Sequence, residues 1–262
     1  MKYWIFILFV FVACKKDEVA IPTYFQINEI EFNDNINGES SSSKISDVWF
    51  YVNDQKQGIY EMPCTFPVIG DGTNNIKIFS GIKVNGIRAS RDIYPFYETF
   101  DTTLNFISDS LLSLLPTTKY KQNLNFYTED FDGLGNNFDI SINSDTNFIS
   151  PFPTDSVYGE LSNIGKVVLQ DPLLNFEATT FEIDDFPSAG SPVYLELDYK
   201  NNSTFIIGAY VNFSQSVIKK SIIAINPSED WNKIYINLTP TINESIGAQS
   251  LKVFISMLKP EN

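Results

Sequence analysis

From Asp47 onward the chain runs in short bursts of β-branched and aromatic residues, broken about every ten residues by Asn, Asp, Gly or Pro. Val48, Phe50 and Val52 interleave with Trp49, Tyr51 and Asn53, and Asn53-Asp54 then supplies a turn. Successive strand side chains point to opposite faces, so a run of this kind suits a pleated surface. Ile76-Lys77-Ile78-Phe79 reads as another strand, approached through Gly70-Asp71-Gly72. Ile82-Lys83-Val84 leads into Asn85-Gly86, a hairpin signal because both residues tolerate positive φ. No stretch carries a sustained helical period; Leu104 to Leu115 is the candidate for a short helix, with Asp109 capping its second half. The pattern predicts an all-β protein.

The same texture divides the chain. At 262 residues, 43% apolar and 15% aromatic, there is material for two cores. Residues 14–44 hold Ile21-Pro22, an Asn-rich stretch at Asn33 to Asn37 and the serines Ser40 to Ser43, and read as tether and loop with one candidate strand at Tyr24 to Ile30. Residues 45–122 are expected to form a first β-sandwich and 123–262 a second, in tandem. Pro116, Thr117, Thr118 and Lys119 to Lys121 have the composition of an exposed linker, which places the junction near Tyr120 to Asn123. In the second domain the expected strands are Val193 to Tyr199, Phe205 to Phe213, Asp230 to Leu238 and Leu251 to Leu258. Alternation would send Ile234, Ile236 and Leu238 into its core.

At the N-terminus, Lys2 precedes an apolar stretch from Tyr3 to Val12, and small Ala13 stands before Cys14. That stretch is far shorter than the ~20 residues a spanning helix needs. Phe11-Val12-Ala13-Cys14 resembles the lipobox of bacterial lipoproteins. The resemblance implies removal of the signal peptide at residues 1–13 and a diacylglycerol on the Cys14 thiol, detectable as palmitate incorporation. Cys14-Lys15-Lys16-Asp17-Glu18 resembles the start of lipoproteins from Bacteroidota, which implies that Lys15, Lys16, Asp17 and Glu18 act as a surface-export signal. Lys15 departs from the aspartate that signals inner-membrane retention in enterobacterial lipoproteins. The expected location is therefore the outer membrane, lipid-anchored and facing the cell exterior. With Cys14 committed to lipid, Cys64 remains, and no intramolecular disulfide can form.

Composition excludes several kinds of chemistry. A formal net charge of −14, made more negative by loss of Lys2, repels nucleic acid. The absence of histidine removes Ser-His-Asp and Cys-His catalysis and His-ligated zinc. Cys64, between Pro63 and Thr65, reads as a small buried hydrophobe. Gly133-Leu134-Gly135 lacks the strand-to-helix context of a phosphate loop. Neighbouring carboxylates at Asp184-Asp185 and around Glu129 are what 32 acidic residues produce without selection. No catalytic residue and no organic cofactor are expected, so the chain reads as a protein that is not an enzyme. Asp130, Asp132 and Asp139, with Asn136 and Asn137, offer oxygen ligands suited to a structural calcium. The competing reading is a plain turn with Asx caps.

The order of a strand ending at Asn53-Asp54, then Gly58, Pro63, Pro67, a glycine-rich turn, the strand Ile76 to Phe79 and Gly81 resembles the PEGA-type or carboxypeptidase-regulatory-like β-sandwich. That family consists mostly of binding and spacer modules. Asn125-Phe126-Tyr127-Thr128-Glu129-Asp130-Phe131-Asp132-Gly133 resembles the opening strand of jelly-roll modules, among them carbohydrate-binding and galactose-binding-like domains. Taken whole, the chain is similar to surface lipoproteins of Bacteroidota, a class with no single activity. Arg88, Arg91, Tyr94, Phe96, Tyr97 and Phe100 concentrate aromatic rings and guanidinium groups, the usual anchors of interfaces, in one segment. They are the candidate partner-binding residues, and the competing reading is that Tyr94 and Phe96 fill a core or the seam between domains. The expected function is a non-catalytic interaction subunit of an outer-membrane complex for barrel assembly, secretion or uptake. The alternative is a carbohydrate-binding surface lipoprotein of a polysaccharide-uptake system.

Overall fold

A computed structural model describes residues 20–33, 42–133, 135–149, 156–157, 160–161, 163–185, 187 and 190–259. Cys14, Lys15, Lys16, Asp17 and Glu18 lie outside the described residues. The first part of the chain forms β1 (Thr23–Ile27), β2 (Glu31–Phe32), β3 (Asp47–Val52), β4 (Gln55–Glu61), β5 (Cys64–Val68), β6 (Gly72–Lys83), β7 (Arg91–Ile93), β8 (Phe100–Phe106), β9 (Leu111–Leu114) and β10 (Thr117–Thr118). One sheet runs β4-β3-β6-β7, with β8 also paired to β6, and another runs β5-β1-β9. Their inner faces meet in a core that includes Phe25, Ile27, Phe50, Phe66, Ile76, Ile78 and Phe106. Phe25 lies at its centre, 5.0 Å from the Phe50 ring, 5.1 Å from Phe106 and 6.1 Å from Phe66.

The alternation seen in the sequence survives, while several assignments change. Asn53 and Asp54 take φ of 48° and 64°, the left-handed pair that closes a tight hairpin between β3 and β4. Ile76–Phe79 and Ile82–Lys83 belong to one long strand, β6. The expected tether is corrected: Thr23–Ile27 is the middle strand of its sheet, and the first sandwich begins there rather than at residue 45. Phe25 and Ile27 are fully buried, which gives this short stretch its reason to order. The short helix at Leu104 to Leu115 is also corrected, since that segment is the end of β8, a turn with Asp109 at φ 61°, and β9. Phe106 is buried between exposed Asn105 and Ile107, a period of two rather than 3.6.

The second part forms β11 (Phe138–Ile140), β12 (Ser156–Val157), β13 (Glu160–Leu161), β14 (Asn175–Thr180), β15 (Tyr194–Asn201), β16 (Phe205–Phe213), β17 (Ser216–Ile225), β18 (Ser228–Asn237), α1 (Thr239–Asn243) and β19 (Ser250–Leu258). The sheet β11-β14-β19-β16-β17 packs on the pair β15-β18. Ile234, Ile236 and Leu238 enter the core between them, beside Ile207, Ala209 and Val211. The fold is all-β and consists of two sandwiches. Asn125 to Gly133, expected as an opening strand, is irregular. Its acids satisfy the backbone locally: Glu129 Oε1 accepts from the Phe131 N–H at 2.7 Å and Asp130 Oδ1 from the Asp132 N–H at 2.9 Å. Such bonds compete with a strand ladder.

A third cluster joins the two sandwiches. Ile82, Tyr94, Tyr97 and Tyr120 pack with Tyr235 of β18, and Phe96 and Tyr194 border them. The turn after β6 docks directly on β18: the Asn85 N–H donates to the Tyr235 carbonyl at 2.8 Å, and Asn85 Oδ1 accepts from the Asn237 N–H at 2.8 Å. Gly86, at φ 67°, lies where an added Cβ would sit 3.2 Å from Ile234 Cδ1, so both its conformation and its space favour glycine. The exposed linker expected near Tyr120 is thus corrected. Tyr120 is buried, and the Lys121 N–H donates to the Phe96 carbonyl at 2.8 Å, which straps the junction to the first sandwich.

Candidate functional site

The candidate partner-binding residues separate into three environments. Tyr94 and Tyr97 are 1% and 3% exposed in the seam. Half-buried Phe96 packs edge-on to Tyr94 at 5.3 Å, while half-buried Phe100 rests against the core of the first sandwich. Arg91 donates to Asp47 Oδ1 at 2.7 Å, to Glu61 Oε2 at 2.6 Å and, through Nε, to the Arg88 carbonyl at 3.2 Å. Hydrogen bonds from Lys83 and Arg91 pull the Glu61 carboxyl down to about 2. Arg88 is exposed, 3.7 Å from Glu61. The six candidates therefore do not form one partner-binding surface, and the competing reading holds for Tyr94 and Phe96, which with Tyr97 face another part of the same chain.

At the seam's centre Glu196 gathers three donors. Tyr94 Oη donates to Oε1 at 2.5 Å, Tyr120 Oη reaches Oε1 and Oε2 at 2.7 and 2.8 Å, and Lys233 Nζ lies 2.8 Å from Oε2. The Lys233 side chain is 1% exposed and also donates to Ser42 Oγ at 3.0 Å. Tyr97 and Tyr235 share a hydrogen bond of 2.9 Å. Burial pushes the Tyr94, Tyr97, Tyr120 and Tyr235 hydroxyls well up from their ordinary value, and the charge of Glu196 adds to each shift. This constellation joins the two sandwiches, with Tyr94, Tyr120 and Ser42 reaching Glu196 and Lys233 from the first part of the chain.

The calcium candidates do not converge. Asp130 caps the Asp132 N–H, Asp132 Oδ1 accepts from Asn163 Nδ2 at 2.7 Å, and Asp139 pairs with Lys252 at 3.1 Å. Among the described residues no three metal-ligating side chains come together. Half-buried Cys64 donates its thiol to the Ile27 carbonyl at 3.6 Å, and burial pushes its pKa up, away from thiolate reactivity.

A depression of about 320 Å³ lies on the outer face of the β11-β14-β19-β16-β17 sheet, and of the candidate site residues read from the sequence Asp139 alone lines it. Strand alternation builds it. In β16, Ala209 and Val211 turn inward while Tyr210 and Asn212 turn out; in β19, Leu251 and Val253 turn inward while Lys252 turns out. Asp139 comes from β11, Glu177 and Thr179 from β14, and Glu182 from the segment after it. Tyr210 Oη donates to Glu177 Oε1 at 2.6 Å, and Lys219 bonds the other oxygen. Lys219 also lies over the buried Phe254 ring, 4.7 Å from its centre. Burial would raise the Glu177 carboxyl, but the bonds from Lys219 and Tyr210 outweigh it and hold the group below its usual range. Asn212 Nδ2 donates to Ser250 Oγ at 2.8 Å and to Glu182 Oε1 at 3.3 Å. The site depends on pairing β17, which carries Lys219, beside β16, and no motif specified that register.

No protein-family model and no curated protein matches the chain. Among solved structures, the chain is similar to one described as showing the structural basis for the promiscuous specificity of carbohydrate-binding modules from the β-sandwich superfamily, with 11% identity and a TM-score of 0.33, over 82% of this chain and 80% of that one. What that module binds is a property of that module.

Proposed function

We propose that the chain is a lipid-anchored, non-catalytic binding protein of the cell surface that holds a carbohydrate in the depression on its second sandwich. The observation that carries this reading is the pairing inside the depression. Glu177 is met by Lys219 and Tyr210, Asp139 by Lys252, and Glu182 by the neutral Asn212 amide, so the lining offers closely spaced donors and acceptors with two of its three carboxylates held in ion pairs. A sugar hydroxyl both donates and accepts, which suits a mixed lining of this kind. The volume is at the small end of the ~300–1,000 Å³ typical of ligand pockets, and a shallow open site suits part of a longer chain. Glu177, held below its usual range by Lys219 and Tyr210, is a poor general acid at neutral pH, which supports a binding role over hydrolysis. Lipid on Cys14 and export through Lys15, Lys16, Asp17 and Glu18 would place this site outside the cell.

Docking onto an outer-membrane complex through the Arg88 to Phe100 segment is less well supported, because two of its rings sit in the seam and Arg91 is engaged by Asp47 and Glu61. A glycan array with the lipidated protein, followed by calorimetry on the best ligand, tests the reading. Asn212→Ala and Lys252→Ala should each weaken binding by about tenfold, the worth of one or two hydrogen bonds, with the melting temperature unchanged. Absence of any glycan ligand, together with stoichiometric recovery of an outer-membrane protein in mild detergent, would replace this reading with the docking one.

A further inference from the structure

The first sandwich carries an apolar surface at the end where the N-terminal segment enters. In the β5-β1-β9 sheet, Tyr24 stands in register between Pro67 and Leu111, and all three point away from the core that holds their neighbours Phe25, Phe66 and Leu112. Leu111 is 57% exposed, and Ile69, just past the end of β5, is 70% exposed. Ile21 and Ile107 are exposed at the same end, where Thr23 Oγ1 donates to the Ile107 carbonyl at 2.9 Å and the Asp109 N–H to the Pro22 carbonyl at 2.9 Å. Scattered exposed leucines and isoleucines are normal on a protein surface. These are brought together by strand register, and the next outward row of this sheet is polar, with Ser113 Oγ donating to Gln26 Oε1 at 3.1 Å.

The length of chain before this patch indicates what covers it. Residues 15–19 separate Cys14 from Ala20, and an extended chain spans at most ~3.5 Å per residue, so a lipid on Cys14 would hold this end within about 20 Å of its headgroup. The apolar residues of the patch are flanked by Asp71 and Asp109 and include neither Lys nor Arg. The patch itself offers no cation, the nearest in sequence being Lys15 and Lys16 of the tether, so apolar contact with a zwitterionic surface is the contact it can make, with Tyr24 of the residue type enriched at the headgroup level. We propose that this end of the first sandwich rests on the bilayer surface, with Tyr24, Ile69, Ile107 and Leu111 entering the interfacial zone. The inference rests on the lipid anchor proposed above.

Mature lipidated protein in phosphatidylcholine vesicles tests it. In a Cys64→Ser background, an environment-sensitive fluorophore is attached at Leu111→Cys, or at Ser221→Cys on the exposed face of β17 as a control. The Leu111 label should shift to the blue, lose its quenching by aqueous iodide and gain quenching by spin-labelled lipid, while the Ser221 label remains open to iodide. Adding Ile69→Glu and Ile107→Glu should restore iodide quenching at position 111. Equal iodide access at both positions, with the lipid confirmed by mass of the N-terminal peptide, would overturn the inference and leave the anchor standing. A mass without lipid would sink the anchor and the inference with it. Protection at position 111 in native outer membranes but not in vesicles would also overturn it, since a protein would then be the cover.

Discussion

Alkaline pH is the most direct probe of the seam. Tyr94, Tyr97, Tyr120 and Tyr235 are buried beside Glu196, and burial above all, with that charge adding to it, raises all four hydroxyls above the value of 10 expected in the unfolded chain. A folded pKa above the unfolded one means that the stabilisation is complete below about pH 10 and is lost as pH rises towards the folded value. Each group silent in the fold and ionised in the unfolded chain costs about 1.4 kcal/mol per pH unit, so four cost roughly 5 to 6 kcal/mol at one unit above 10. A domain holds about 5–15 kcal/mol. The sandwiches should therefore come apart between about pH 10.5 and 11.5, more sharply than ordinary tyrosine ionisation. Absorbance at 295 nm, followed with the far-ultraviolet spectrum, should show a gradual rise and then a step that coincides with loss of structure. Tyr94→Phe with Tyr120→Phe should roughly halve the pH dependence. A smooth ionisation of all tyrosines near pH 10 with both sandwiches intact would refute the reasoning.

Glu196→Ala leaves Lys233 buried with the more distant Asp198, at 3.7 Å, Ser42 and the face of the Tyr235 ring as partners, and should cost about 3 kcal/mol and split a single thermal transition into two by calorimetry. Phe25→Ala removes a fully buried ring packed on Phe50 and Phe106 and should cost about 3–5 kcal/mol in urea unfolding, with the tyrosine step at high pH moved to lower pH. Cys14→Ala should abolish palmitate labelling and release the protein from membranes, and protease added to intact cells should remove the wild type; persistent labelling of the variant would rule out this attachment site.

Strands could be read from the sequence wherever one face is apolar and the other is not. Val48, Phe50 and Val52 show this alternation, and β16 and β19 fall where the apolar runs placed them. β1 was legible as a candidate strand at Tyr24 to Ile30, but not its place in the first sandwich, because its burial depends on β5 and β9, both distant in sequence. Long-range pairing of this kind leaves no local trace. β17 alternates weakly because both its faces are partly wet, and Lys219 on it is what completes the charge pairing at Glu177. The depression is a product of register across several strands, and register is set by the whole sheet rather than by any motif within it.

That the Tyr94 to Phe100 segment admitted two readings has a more general cause. An interface between domains of one chain and an interface between chains use the same residue types, large rings with a polar handle and guanidinium groups with fixed geometry. Composition therefore reports that a surface will be covered without saying by what. Here the cover is β15 and β18, whose Tyr194 and Tyr235 rings pack against Tyr94 and Tyr97. The seam also bears on how the proposed function would work. A flexible linker would let the second sandwich swing relative to an anchored first one, whereas Glu196, Lys233 and the docked Asn85 turn fix the attitude of one to the other. With the first sandwich seated on a membrane, that rigidity would hold the depression at a constant angle to the surface. An immobile polymer would then be met by a preoriented site, and less orientational freedom would be lost on binding.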